Sequence, residues 1–316
     1  MAITADKIKM TFPSECVSNW RYRDNVYKSA ESGLPYHLYL KRDEARREYT
    51  LEFSAKILKD RYVELITIDN IDDCLQCVNS LDFCDIDIER LLSTAQVKAV
   101  DFTKDVRLED IPTAGNMRGL KSILKLSMKN YRRWNCHDYR GNGLVITNIV
   151  ADSRYSRRLT IYDKAHELRL NRNREFLRLL DDSERLLNYF NDRVRFELRA
   201  TTQHQLRRWL NTDDLAPTSV LSSTADPIAL VMAEMFNPIN AVPDDAVREL
   251  QGSTLRTQDR LALLKCLDWD LARVEAHVRE HSRRSITESM KPYRDLYSLH
   301  FDISQPINIV EVVENL

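Results

Sequence analysis

Glycine is scarce in this 316-residue chain, with 6 residues where an average usage of ~7% would give about 22. Loops that cradle phosphate need glycine where the backbone approaches the ligand, so a dinucleotide-binding fold is excluded. The segment from Gly115 to Ser122 (GNMRGLKS) resembles a P-loop, but it has three residues between its glycines instead of four. A leucine also separates Gly119 from Lys121. We therefore interpret this segment as the start of a helix.

Long apolar segments are missing as well. The chain contains no charge-free apolar run of the ~18 to 20 residues that a membrane span needs. Its first residues, MAITADKIKMTF, lack the apolar core of a signal peptide. In a chain without secretory features, the six cysteines are interpreted as reduced thiols. The sequence thus predicts a cytoplasmic protein with no membrane partner.

Charge is balanced over the whole chain but not along it. Lys plus Arg (47) and Asp plus Glu (48) give a net charge of -1, which excludes a chain-wide field for attracting nucleic acid. Residues 61–110 contain 12 acids and 5 bases, whereas residues 121–210 contain 20 bases and 10 acids. Aromatic residues lie among these bases, a combination that suits an anionic partner with stackable bases. A solvated, arginine-rich surface has the same composition, so charge alone leaves both interpretations open.

Sequence periodicity predicts an α+β N-terminal catalytic domain, with a mainly antiparallel sheet flanked by helices, followed by a helical C-terminal domain. Period-two apolar patterns predict strands at 7–12, 47–58, 96–106, 157–163 and 193–199. The pair Asn142-Gly143 between two extended segments predicts a hairpin. After about residue 211, prolines interrupt short helices and strand signals are few. We predict two domains, residues 1–210 and residues 211–316.

Three of the predicted strands place polar side chains on one face by the period-two rule. These residues are Asp101, Thr103 and Asp105 in the first strand, Thr160, Tyr162 and Lys164 in the second, and Arg195, Glu197 and Arg199 in the third. If the strands are neighbours, one sheet face collects carboxylates, a tyrosine, a lysine and arginines. Carboxylates bind Mg²⁺ or Mn²⁺, and a metal ion and a lysine together could activate a tyrosine for phosphodiester chemistry. For any one strand alone, ordinary polar-out, apolar-in alternation is the better explanation.

The segments VDFTKDV (100–106), RLTIYDKAHEL (158–168) and RVRFELR (193–199) give the chain a family resemblance. Their order resembles the rolling-circle replication initiators of small plasmids and the related filamentous-phage replication endonucleases. Those proteins have an acidic D-x-x-x-D strand, a YDKxxEL segment and an RxEx(L)R strand at similar separations. The resemblance covers residues 95–200 well, and PYRDLY (292–297) also resembles a tail of phage and plasmid members.

The resemblance implies a metal-dependent DNA nickase and strand transferase that initiates rolling-circle replication. Such an enzyme cuts one strand at the origin, stays attached through a 5′-phosphotyrosine and leaves a 3′-hydroxyl as primer. Carried onto this chain, the resemblance makes Tyr162 the nucleophile and Lys164 its electrostatic partner. The implied ligands of Mg²⁺ or Mn²⁺ are Asp101, Asp105 and Glu197, with Glu167 a further candidate.

The sequence departs from the pattern at the metal site. The larger superfamily of such enzymes uses a His-hydrophobic-His pair, and none of the seven histidines has that arrangement. Tyr139 and Tyr155 also lie in the basic region, and both stay open as alternative nucleophiles. The predicted contacts with duplex and single-stranded origin DNA are Arg132, Arg133, Trp134, Tyr139, Arg140, Arg154, Arg157, Arg158, Arg195 and Arg199.

Two other functions fit the same residues. In the first, the protein is a non-catalytic origin-binding initiator, whose basic sheet and helical domain hold duplex DNA. It would recruit host replication proteins such as a helicase. In the second, the protein is a mobilisation relaxase, which shares the nicking chemistry but acts in DNA transfer.

Overall fold

The computed structural model describes residues 3–111, residues 133–236 except 149 and 151, residues 271–281 and residues 285–301, together with scattered positions between and after these ranges. Contacts divide the chain into two compact units. The first, here called the sheet unit, comprises Met1–Arg107, Asn130–Glu234 and Leu316. The second, the helical unit, comprises Leu108–Lys129 and Met235–Asn315.

The sheet unit is built on one large sheet. The strands of the unit are β1 (Ala5–Pro13), β2 (Val17–Ser18), β3 (Val26–Lys28), β4 (Leu38–Asp43), β5 (Glu48–Ser54), β6 (Asp85–Ile86), β7 (Gln96–Arg107), β8 (Trp134–Asp138), β9 (Gly143–Asn148), β10 (Arg158–Asp163) and β11 (Arg193–Ala200). Among the described residues, nine of them form a sheet in the order β3-β4-β5-β1-β7-β11-β10-β9-β8. All pairings in it are antiparallel. The predicted α+β class with a mainly antiparallel sheet is confirmed.

Short helices accompany the sheet, and longer ones follow toward the C-terminus. The helices are α1 (Ile71–Asn79), α2 (Ile88–Thr94), α3 (Lys164–Leu168), α4 (Arg174–Arg178), α5 (Ser183–Phe190), α6 (Gln203–Leu210), α7 (Pro217–Leu221), α8 (Pro227–Met235), α9 (Leu271–His281) and α10 (Ile286–Phe301). A 3-10 helical segment, Ala55–Glu64, follows β5 where the sequence predicted further strand. The helical unit also contains the strand pair β12 (Ile239–Asn240) and β13 (Pro306–Ile307).

Local capping explains where several helices begin. Asp87, Asp163 and Asp182 each accept a hydrogen bond from a backbone amide in the first turn of α2, α3 and α5. Thr202 and Gln205 form a reciprocal capping box at the start of α6. Such caps satisfy amides that have no partner inside the helix. Because Asp163 ends β10 and caps α3, Lys164, two residues after Tyr162, is the first residue of α3.

The large sheet has one apolar face beneath α6. Phe102, Phe196 and Leu198 are buried there, and the Phe102 ring lies 6.5 Å from the Trp209 ring of α6. On β7 and β11 the alternate positions carry polar residues, as the period-two pattern predicts. The helical unit has a core of its own, with Leu264, Val274, Val278 and Met290 buried between α9, α10 and the residues before them. No helix among the described residues is long and apolar enough to cross a membrane.

The sheet unit continues past the predicted boundary at residue 211. The Val97 amide donates to the Leu215 carbonyl at 2.8 Å, and the Ile3 amide donates to the Leu221 carbonyl at 3.2 Å. Lys104 of β7 also lies 2.6 Å from Asp226. These bonds attach α7 and the start of α8 to β7 and the N-terminus. For this reason contacts divide the chain at Glu234 rather than at residue 211.

The predicted hairpin forms between β8 and β9, but its turn lies earlier than Asn142-Gly143. Arg140 and Gly141 have positive φ angles, 54° and 80°, and the Asn142 amide donates to the Tyr139 carbonyl at 3.2 Å. Glycine adopts this left-handed conformation without a Cβ penalty, so Gly141 fits the turn. Gly143 begins β9, and glycine suits this position because β9 lies very close to Tyr162 of β10. A Cβ built there would lie 2.5 Å from Tyr162 Cβ.

Candidate active site

The three motif strands are adjacent in the sheet and share a polar face. Arg195 of β11 lies opposite Tyr162 of β10 on one side and opposite Asp105 of β7 on the other. One pair further along, Glu197 lies opposite Thr160 and Thr103 in the same way. Directly opposed residues project to the same face of an antiparallel pair. The predicted common face of Asp101, Tyr162 and Glu197 is therefore confirmed.

Tyr162 lies at the centre of this face. Its hydroxyl donates to Glu197 Oε1 at 2.5 Å, and Lys164 Nζ lies 3.4 Å from the same hydroxyl oxygen. The side chain is only 3% exposed. Burial, and then the negative charge of Glu197, raise the pKa of Tyr162 well above its ordinary value of 10.0. The phenol is thus protonated at neutral pH and holds its proton against Glu197.

Glu197 has the acid-base properties of a general base. Burial, followed by the nearby charge of Asp6, raises its pKa from 4.5 to about 7. A carboxyl group with a pKa close to the working pH can both accept and release a proton. Glu197 and Tyr162 therefore form a base and a potential nucleophile within hydrogen-bond reach, the pairing that covalent catalysis requires.

Arg195 is the internal cation of the site. It is 0% exposed, and its Nε and Nη2 atoms each lie 2.7 Å from one oxygen of Asp105. Its Nη1 atom donates to Asp6 at 2.9 Å and to the Tyr62 hydroxyl at 2.6 Å. Burial alone would lower the pKa of Arg195, but Asp105 and the other partners raise it well above its ordinary value.

This burial corrects one predicted DNA contact. Arg195 cannot present its guanidinium to a phosphate from this position, because the group neutralises Asp6 and Asp105 inside the protein. The prediction of Arg195 as a DNA-binding residue is wrong for this arrangement. Asp105 binds Arg195 through both of its carboxylate oxygens.

A second charge cluster holds Lys164. Its Nζ atom lies 2.9 Å from Glu167 Oε2, while Arg172 and Asn173 donate to Glu167 Oε1. Burial raises the pKa of Glu167, but the positive charges of Lys164 and Lys56 outweigh that effect and lower it. The pKa of Lys56, lowered by burial and by Lys164, is about 8. Glu167 thus acts as the anchor that aims the Lys164 ammonium at Tyr162.

The three predicted metal ligands do not converge. Asp101 lies 3.5 Å from Arg199, Asp105 is bound to Arg195, and Glu197 accepts a hydrogen bond from the Tyr162 hydroxyl. In the part of the chain that the structure describes, no group of three or more His, Cys, Asp and Glu side chains is placed to hold a metal ion. Each of these three carboxylates has a different protein partner in this structure, and a Mg²⁺ or Mn²⁺ ion shared by them stays a prediction.

The other predicted DNA contacts differ in accessibility. Arg133, Arg154, Arg158 and Arg199 are exposed. Arg157 is 10% exposed and paired with Glu234 at 2.5 Å. Trp134 is half-buried, and Arg140 lies 3.6 Å from Glu167. Arg132 is outside the described residues.

The two alternative nucleophiles also lie in different surroundings. The Tyr139 ring packs 4.9 Å from the Tyr162 ring and covers it. Tyr155 is 44% exposed, and its ring lies 5.6 Å from that of His204. Tyr155 is therefore open to a ligand as it stands, whereas Tyr162 is closed.

Sequence analysis missed Asp6 and Tyr62. The Tyr62 hydroxyl donates to Asp6 at 2.7 Å, and both contact Arg195. Ala5 pairs with Phe102 and Lys7 with Asp101, so Asp6 is an extra residue in a β-bulge. A bulge interrupts the period-two pattern from which faces are assigned. Tyr62 lies in the 3-10 segment, for which no sequence signal was recognised.

Comparison of the chain with protein-family models, with curated proteins and with solved structures gives no match in any of the three sets. The function is therefore inferred from the residues and geometry of the site.

Proposed function

We propose that the sheet unit nicks one strand of DNA at a replication origin by transferring it to a tyrosine, as a rolling-circle initiator does. The observation that carries this proposal is the Tyr162 hydroxyl, 2.5 Å from Glu197 Oε1 and 3.4 Å from Lys164 Nζ. A tyrosine hydroxyl, a carboxyl group and an ammonium group thus meet at β10, β11 and the start of α3, within two of the three segments that carry the family resemblance. General packing does not require this combination, since a packing tyrosine needs only its ring.

The chemistry follows from these positions. The Tyr162 oxygen attacks a backbone phosphorus and forms a phosphorus–oxygen bond, while its proton passes to Glu197. The bond from phosphorus to the 3′ oxygen breaks, and that oxygen takes up a proton and leaves as a 3′-hydroxyl. The 5′-phosphate stays on Tyr162. The Lys164 ammonium offsets negative charge as it develops on the phenol oxygen, in a site from which water is largely excluded.

Access to Tyr162 requires a movement. Tyr139 and Arg140 belong to the turn between β8 and β9, and the Tyr139 ring packs 4.9 Å from the ring of the buried Tyr162. The Arg140 guanidinium lies 4.8 Å from the centre of the Tyr139 ring. A DNA strand therefore reaches the phenol oxygen only when this turn moves away. The basic side chain of Arg140 can attract an incoming phosphate to this turn.

The decisive experiment uses a supercoiled plasmid that carries the cognate replication region. Wild-type protein, Tyr162→Phe and Tyr155→Phe are incubated with it, with and without Mg²⁺ or Mn²⁺. Relaxed circles and a protein-linked 5′ end are measured. We expect nicking and covalent attachment by wild type and by Tyr155→Phe, and neither by Tyr162→Phe. If the adduct forms on Tyr155 instead, the enzyme class survives but the nucleophile is misassigned.

A second candidate function is a non-catalytic origin-binding initiator that recruits host proteins such as a helicase. The observation in its favour is the closed state of Tyr162, which is 3% exposed and bonded to Glu197. In that case Tyr162, Glu197 and Lys164 form a buried polar network that stabilises the sheet. The exposed arginines then bind the origin DNA. Wild-type protein that binds its origin but never forms a covalent link, with metal present, would establish this second function.

A further inference from the structure

A pocket of about 240 Å³ opens on the polar face of the sheet where β11 ends. The charged side chains that line it come from four adjacent strands. They are Lys7 and Lys9 of β1, Glu52 of β5, Lys98 and Asp101 of β7, and Arg199 of β11. None of the predicted DNA contacts except Arg199 belongs to this set.

The pocket exists because a small residue lies among long ones. Ala99 lies opposite Lys9, which in turn lies opposite Glu52. In the next row Lys7 lies opposite Asp101, and Asp101 lies opposite Arg199. Opposed residues share a face, so the methyl group of Ala99 forms a floor between longer, charged side chains.

Positive charge exceeds negative charge in the lining, with four cationic and two anionic side chains. Glu52 lies 3.8 Å from Lys7 and 3.3 Å from Lys9, and so holds both lysines toward the pocket. In the described part of the chain, Lys98 takes part in no ion pair. Lysine has three N–H donors and arginine five, so the two carboxylates cannot occupy all of the donors. The surplus suits an anion that offers several oxygens.

The pocket and the candidate active site both include residues of β11. Arg199 and Glu197 lie two residues apart on β11 and project to the same face, a separation of about 7 Å along a strand. On β10, Leu159 lies opposite Leu198, which brings exposed Arg158 next to Arg199. Among the described residues Arg158 forms no ion pair. A row of accessible cations therefore joins the pocket to the strand that carries Tyr162.

We propose that this pocket binds a backbone phosphate of a single DNA strand, and that the strand continues past Arg158 to Tyr162 and Glu197. The identity of the ligand as the strand to be cut rests on the proposed function. The affinity of the pocket for a phosphodiester does not, because it follows from the lining alone. Inorganic phosphate would bind through the same contacts as a backbone phosphate, and the experiment distinguishes these two ligands.

The test measures binding of a short, fluorescein-labelled single-stranded oligonucleotide by fluorescence anisotropy over a range of salt concentrations. Lys98→Gln removes one charge, and Ala99→Leu fills the pocket while keeping every charge. We expect each to weaken binding by about five- to tenfold. Lys98→Gln should also reduce the slope of log affinity against log salt by ~0.7, the value for one phosphate contact on a single strand. Lys28→Gln, at the far edge strand β3, is the matched control and should bind as wild type does.

The outcomes separate this proposal from the proposed function. If both pocket variants bind the oligonucleotide as tightly as wild type while wild type still forms a covalent adduct, the pocket proposal fails and the nickase stands. If the pocket variants lose affinity but wild type never forms an adduct, the pocket stands and the nickase fails. Inorganic phosphate that binds the pocket without any oligonucleotide binding overturns the assignment to a strand. Circular dichroism melting confirms that each variant is folded.

Discussion

Tyr162 reaches its base diagonally across two strands. Its backbone lies opposite Arg195, yet its hydroxyl donates to Glu197, two residues further along β11. Diagonal neighbours on one face of an antiparallel pair are within reach of an aromatic side chain. Arg195, which lies directly opposite Tyr162, instead binds Asp105 and Asp6. One strand, β11, supplies both Glu197 and the buried Arg195 that pairs with Asp105 and Asp6.

Tyr162→Phe separates the oxygen from the ring. We expect the variant to fold and to bind origin DNA about as tightly as wild type, because phosphate contacts supply most of the affinity. It should form no covalent adduct. Binding is measured by anisotropy and the adduct by denaturing gel electrophoresis of labelled DNA. An adduct on the Phe variant would show that Tyr162 is not the nucleophile.

The stability of the protein should depend on pH through Glu197. Its folded-state pKa, about 7, lies above the ordinary 4.5, so the folded state binds more protons between these values. The contribution of this carboxyl to the free energy of unfolding is full below about pH 4.5 and is lost as the pH rises through 7. Relative to Glu197→Gln, wild type should lose about 3 kcal/mol over this range. Urea unfolding at a series of pH values measures the difference, and a difference independent of pH contradicts the prediction.

The same group should control the rate of adduct formation. Because only ionised Glu197 can accept the Tyr162 proton, the rate for wild type should rise with pH and level off above about 7. Glu197→Gln should react far more slowly and lack this rise. Single-turnover formation of the adduct is the measurement, at constant ionic strength. A wild-type rate that does not change between pH 5.5 and 8, roughly one unit or more on each side of that pKa, would remove Glu197 from the role of base.

Arg195→Met should be among the most destabilising changes in the sheet unit. It leaves Asp105 and Asp6 without their buried cation, and breaking a buried ion pair costs about 3 to 5 kcal/mol. Arg178→Gln, which removes an exposed pair with Glu175, should change stability by less than about 1 kcal/mol. Urea unfolding of both variants gives the comparison. Equal effects of the two substitutions would mean that Arg195 is not the structural cation of the site.

Gly143→Ala tests the close approach of β9 to Tyr162. The added Cβ would lie 2.5 Å from Tyr162 Cβ and 2.7 Å from the Ile161 carbonyl oxygen. Relieving these contacts requires β9 and β10 to separate, so we expect a loss of roughly 1 to 3 kcal/mol. Gly141→Asn, at the positive-φ turn position with open space around it, should have a smaller effect, since Asn tolerates that conformation. A thermal melt of each variant decides, and the prediction fails if Gly143→Ala is the milder change.

The sequence by itself determined which residues of β7, β10 and β11 share a face. Side chains alternate along any strand, so the period-two pattern places Asp101 with Asp105 on one face of β7, and Glu197 with Arg199 on one face of β11, without knowledge of the neighbours. The α+β class follows from the same local patterns. So does the hairpin between β8 and β9, although its turn residues were misplaced by two positions. These features depend on local backbone geometry, which short stretches of sequence encode.

Only the tertiary structure decided which polar residues are buried and what each one contacts. In the sequence Arg195 and Arg199 look alike, but Arg195 is covered and bound to Asp105, while Arg199 is exposed beside a pocket. The bulge at Asp6, the approach of Tyr62 and the floor formed by Ala99 all depend on strand order and register. Those depend on contacts between segments far apart in the chain, in some cases by more than 180 residues. The alternation of a single strand carries no information about them.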